Sequence, residues 1–109
     1  MKKIYLACCY THEDPRVMDD RAEQIMKKAA ELIREGYFVF SPITHSHEMA
    51  KQYDLPTTFE YWAAANHSMI DWCDTVAVLK LEGWEDSRGV DDEIRYAHLK
   101  HKKVILIKP

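Results

Sequence analysis

The chain has 109 residues, close to the commonest size of one domain, and is read as a single domain over residues 1–109. It is 47% hydrophobic and 30% charged, with three Gly and four Pro, which excludes a disordered or low-complexity chain. A formal net charge of -3 argues against binding a nucleic-acid polymer by bulk electrostatics, but allows a small anion held by a few local groups.

Met1-Lys2-Lys3 runs into the short apolar stretch Ile4-Tyr5-Leu6-Ala7-Cys8-Cys9, which reads as a strand buried on both faces rather than a secretory leader. The polar segment Tyr10 to Pro15 follows. An amphipathic helix is predicted over about 16–35, with Ala22, Ile25, Met26, Ala29, Leu32 and Ile33 on its stripe. Gly36 is its C-terminal stop. Tyr37-Phe38-Val39-Phe40 is the second strand, ended by Ser41-Pro42. The stretch from Ile43 to Thr58 reads as an irregular loop, rich in His and polar groups and long enough to be functional. Thr57 or Thr58 then caps a helix over about 58–73, with Phe59, Trp62, Ala63, Met69, Ile70 and Cys73 on its apolar face. Thr75–Leu79 is the third strand, Ser87 or Gly89 opens a helix running to about Lys100, and Val104–Ile107 is the last strand.

Apolar strands alternating with helices predict an α/β fold: a Rossmann- or flavodoxin-like three-layer sandwich around four to five mostly parallel strands. Nothing approaches the ~18 apolar residues of a membrane span. The three cysteines form no disulfide framework and read as small core residues in a reducing, cytoplasmic setting. Ligands of such sheets bind beyond the carboxyl ends of the strands, near the switch in strand order. The loops 8–16, 41–57 and 80–90 are therefore where a site is expected, although fold type alone names no chemistry.

Within the last of these loops, Ser87-Arg88-Gly89 opens a helix, and a helix start offers free N–H groups and a positive dipole end to an anion. Ser87 adds a hydroxyl, Arg88 a charge, and Gly89 room for a ligand beside the backbone; plain capping by Ser87 explains the same residue. Glu93 falls at the border of the inward stripe Val90, Ile94 and Ala97, where a half-buried carboxylate can serve as nucleophile or general base. The helix dipole alone also favours acidic residues there, as at Asp91 and Asp92. Asn66 interrupts the apolar face between Trp62 and Ile70, and either binds the neighbouring loop or faces a ligand. His12, His45 and His47 fall on the presumed active face. His45-x-His47 lacks a third ligand of recognised spacing, so no metal is expected. His67, His98 and His101 read as solvated helix-face residues. Trp62, Trp72 and Trp84 read as core, with Trp84 also able to stack on a base.

Taken together, these segments resemble the nucleoside 2-deoxyribosyltransferase superfamily, in particular a small phage and bacterial branch similar to 2'-deoxynucleoside 5'-phosphate N-hydrolases. The resemblance rests on Ile4-Tyr5-Leu6-Ala7, on Phe40-Ser41-Pro42-Ile43-Thr44-His45-Ser46-His47, on Trp72-Cys73-Asp74, and on Gly83-Trp84-Glu85-Asp86-Ser87-Arg88-Gly89-Val90 with Glu93 and Ile94. It implies that Glu93 is the catalytic nucleophile, that Ser87 contacts a 5'-phosphate, and that Tyr5 lines the sugar site. Arg16, Arg21 or Arg88 would assist Ser87–Gly89 on the phosphate, and Trp84 and His45 would border the substrate. It further implies no cofactor, a nucleotide or nucleoside as the small-molecule partner, and a homodimer or higher homo-oligomer. Two departures stand out: Asn66 occupies the place of an acidic residue, and Cys8-Cys9 replaces the usual small residues after the first strand. The expected activity is hydrolysis or transfer of an N-glycosidic bond. A nucleotide-binding module without turnover and an inert interaction domain are the alternatives.

Overall fold

Continuous apolar runs become interior strands, and the segments between them become helices that cover the sheet. The computed structural model describes residues 2–109, over which β1 (Lys3–Ala7), α1 (Pro15–Arg34), β2 (Phe38–Phe40) and α2 (Pro42–Tyr53) lead into α3 (Phe59–Trp72), β3 (Thr75–Leu79), α4 (Arg88–Leu99) and β4 (Lys103–Ile107). Among the described residues the sheet has four strands, all parallel, in the order β2-β1-β3-β4. This is a Rossmann- or flavodoxin-like three-layer sandwich. All of β3 is buried, as is β1 from Ile4 onward, because helices lie on both sides of the sheet centre. The edge strands β2 and β4 leave Phe38 and Leu106 exposed.

The helix boundaries follow local chemistry. Asp14 caps α1 by accepting from the Arg16 amide, with Pro15 in the first turn, and Gly36 at φ 103° carries the chain out. Ser87 caps α4 by accepting from the Val90 amide at 3.2 Å. α1 packs on β2 and α2, and α3 packs on α4. Ile70 of α3 is fully buried in the shared core. Ile70→Ala is expected to cost about 2–5 kcal/mol of unfolding free energy in a denaturant titration, the range for a large-to-small change that leaves a cavity.

The expected loop over 43–58 is instead mostly helix α2. Ser41 caps it through a 3.1 Å bond from the Thr44 amide, Pro42 supplies a preset first turn, and Asp54 ends it at φ 56°. Its inward face is Pro42, Ser46 and Ala50, small residues four apart. A search for large apolar side chains passes over such a face, while the Ser-Pro start was the available signal. Among the described residues no helix is long and apolar enough to cross a membrane.

Candidate functional site

From β1 the chain turns to β2 on one side, and from β3 it turns to β4 on the other. The two connections diverge at the carboxyl ends of β1 and β3, leaving a crevice there. A cavity of about 490 Å³ occupies it, within the roughly 300–1,000 Å³ usual for small-molecule sites. Cys8, Cys9 and Tyr10 border it from the end of β1, Ile43 and Ser46 from α2, Trp62 and Asn66 from α3, and Ser87, Asp92 and Glu93 from the start of α4.

Glu93 is 6% exposed and lies on the cavity wall. The fully buried Tyr5 donates its phenolic O–H to Glu93 Oε2, so the central strand holds the carboxyl group from beneath. Burial pushes the Glu93 carboxyl up to about 8, the Tyr5 hydrogen bond opposes this, and the nearby Asp92 charge adds to it. The Tyr5 phenol is itself raised well above its ordinary range, chiefly by burial and then by Glu93, so it stays a proton donor. Tyr5 therefore positions Glu93 and does not itself line the cavity.

Arg21 lies where α1 faces both loops. Its Nη1 donates to the carbonyls of Tyr10 and Thr11, and its Nη2 donates to that of Glu82, each at 3.3 Å. One guanidinium thus clasps the loops after β1 and β3 while keeping a positive charge on the cavity wall. Gly83 fits this clasp because its φ is 93° and a Cβ there would come 3.3 Å from Arg21 Nη2.

The start of α4 also borders the cavity, with Ser87, Arg88 and Gly89 on its wall. Ser87 Oγ is engaged in capping, and Arg88 pairs with Glu60 at 3.2 Å and lies over the Phe59 ring. The missing side chain of Gly89 serves close packing as well: a Cβ there would meet Phe59 Cβ at 3.3 Å. Asn66 is half-buried on the opposite wall.

Three expected residues lie elsewhere. Trp84 packs against the core in a 3-10 turn, Trp84–Asp86, and does not border the cavity. His45 is exposed on α2 beside Phe40 and also lies off the wall, because the helix turns it outward. Arg16 is held by Asp14 at 3.0 Å on the surface. Cys8 and Cys9 are buried thiols, and burial raises both, which suits packing rather than nucleophilic attack.

Two constellations were hidden in the sequence. Tyr10 Oη lies 2.6 Å from His47 Nδ1, and His47 Nε2 lies 3.0 Å from Asp19 Oδ1, tying the first loop, α2 and α1 together. Behind the far wall, His67 Nε2 lies 2.7 Å from Asp92 Oδ2, and the His67 ring stacks on Tyr96 at 3.9 Å. By sequence His67 reads as solvated and Asp92 as a helix-dipole residue. Each is polar on its own helix face, and its partner comes from another element.

Fold and site together define a parallel α/β domain with a buried carboxyl group at its switch-point cavity. A model described as Domain of unknown function (DUF1937) matches residues 2–108, and the chain belongs to that family. No curated protein matches the chain.

Proposed function

We propose that this chain cleaves, by hydrolysis or transfer, the N-glycosidic bond of a (deoxy)nucleoside or nucleoside 5'-monophosphate, with Glu93 as nucleophile. The observation that carries this reading is the Glu93 carboxyl group, nearly sealed from solvent yet on the cavity wall and oriented by the Tyr5 hydroxyl. Ionised Glu93 attacks C1' as the base departs through an oxocarbenium-like state, and water or a second base then releases the sugar, as in retaining glycosidases. The hydrogen bond from Tyr5 favours the ionised form, and positive charge developing at C1' favours it further. The α4 start with Ser87, Arg88 and Gly89 suits a 5'-phosphate, and Arg21 adds positive charge. Asn66 positions the sugar or base. In this reading the chain works in the cytoplasm as a homodimer or higher homo-oligomer.

The test is release of free base from a panel of ribo- and deoxyribonucleoside monophosphates and nucleosides, followed by chromatography. Base release from at least one substrate is expected, and none from any would overturn the reading. One observation favours the binding module: Asn66 stands on the cavity wall where the resemblance leads one to expect an acid. That module predicts a thermal shift with nucleotide and no released base.

A further inference from the structure

We infer that Asp92 is a second catalytic carboxyl group of this cavity, acting as acid on the departing base and as base on the incoming water, with His67 as its proton partner. The inference rests on the N-glycosidase reading above. A base leaving from C1' as an anion is a poor leaving group, and Asn66 cannot give it a proton. Asp92 lines the same cavity and directly precedes Glu93 on α4, so both carboxyl groups serve one space. The geometry behind Asp92 is specific. Its Oδ2 meets His67 Nε2 at 2.7 Å, the His67 ring lies flat on Tyr96 with 3° between planes, and Tyr96 donates to Asp71 Oδ1 at 2.8 Å. His67 is not on the cavity wall, so it reaches the substrate only through Asp92.

A rival donor on the same cavity wall is Tyr10. Asp19 at His47 Nε2 places the ring proton there, which leaves Nδ1 to accept from Tyr10, so the phenolic proton is already committed. The other charged or titratable groups around the dyad are Glu93, Arg88 and Tyr96 on α4, Glu60 and Asp71 on α3, and Tyr5 on β1. Lys100 lies over the Tyr96 ring, and Lys102 bonds the Asp71 carbonyl.

The proton inventory closes over the two steps. First, a Glu93 oxygen bonds to C1' and the C1'–N bond breaks, its electron pair passing to the base. The base takes a proton from Asp92, which is replenished from the His67 imidazolium. Next, a water oxygen bonds to C1' and the Glu93–C1' ester bond breaks, returning the carboxylate. The water proton goes to Asp92 and on to His67, so the sum is nucleotide plus water giving base plus sugar phosphate.

The test compares wild type, Asp92→Asn and His67→Gln on two substrates: a deoxynucleoside monophosphate with an ordinary base, and p-nitrophenyl deoxyriboside 5-phosphate, whose leaving group needs no proton. For Asp92→Asn, kcat on the nucleotide should fall about 10²–10⁴-fold, while the nitrophenyl substrate loses less than about tenfold. His67→Gln should lower kcat on the nucleotide by at least about tenfold more than on the nitrophenyl substrate. Equal losses on both substrates, or wild-type kcat on the nucleotide in both variants, would overturn the role of Asp92 and leave Glu93 as nucleophile. Should Asp92→Asn fail to fold by far-UV circular dichroism, His67→Gln decides the matter, because it leaves Asp92 in place. Failure of wild type on both substrates would remove the N-glycosidase reading itself, and this inference with it.

Discussion

Glu93→Gln is expected to lower base release by roughly 10³-fold or more, the scale on which enzymes lose rate when a covalent nucleophile is removed. The variant should still fold. Gln keeps the shape of Glu, and its side-chain carbonyl can accept the Tyr5 O–H that Glu93 Oε2 accepts in the native chain. Glu93→Ala differs, because it leaves the buried Tyr5 hydroxyl without its partner at a cost of about 1–3 kcal/mol. Comparing the two separates chemistry from support: both should lose turnover, but only Ala should lose much stability. Glu93→Gln turning over within tenfold of wild type would exclude Glu93 as nucleophile.

The second large effect is on stability against pH. Burial raises the folded-state Glu93 carboxyl from its ordinary 4.5 to about 8. Below 4.5 both folded and unfolded chains carry the proton, so the contribution of this group to stability is at its full value. Between 4.5 and about 8 the unfolded chain releases the proton while the folded chain keeps it. Stability therefore falls as pH rises, by at most about 1.4 kcal/mol per pH unit from this group, and levels off above about 8. Asp14, Asp19 and Glu31 are shifted the other way by hydrogen bonds from Arg16, Lys51 and Lys28, and their contributions are lost instead at acid pH. Denaturant midpoints measured from pH 5 to 8 should decline more steeply for wild type than for Glu93→Gln, whose side chain has no proton to release. Parallel curves would mean that Glu93 titrates normally.

The same shift bears on catalysis. Burial raises the Glu93 carboxyl group to about 8, so in the proposed reaction Glu93 must lose a proton before it attacks.

Much of this protein is determined by local sequence. The unbroken apolar runs at Ile4–Cys9 and Thr75–Leu79 specify strands with both faces buried, because only helix-covered central strands can be apolar throughout. Asp14-Pro15 and Ser87 specify helix starts, since a capping side chain bonds an amide two or three residues away. The period of α4 placed Glu93 beside its inward stripe and near the strand ends, and the structure buries it there. What local pattern could not carry was contact between distant segments. Tyr5 and Glu93 are 88 residues apart, and they meet because β1 lies beside β3 and α4 begins just beyond it. His67 and Asp92 are 25 residues apart and pair only because α3 packs on α4. The same packing decided that Trp84 faces the core, that His45 faces solvent, and that a stretch without large apolar residues folds as α2 on the small faces of Pro42, Ser46 and Ala50. Capping and periodicity act within one or two turns, whereas burial of a carboxyl group is settled by every element that closes around it.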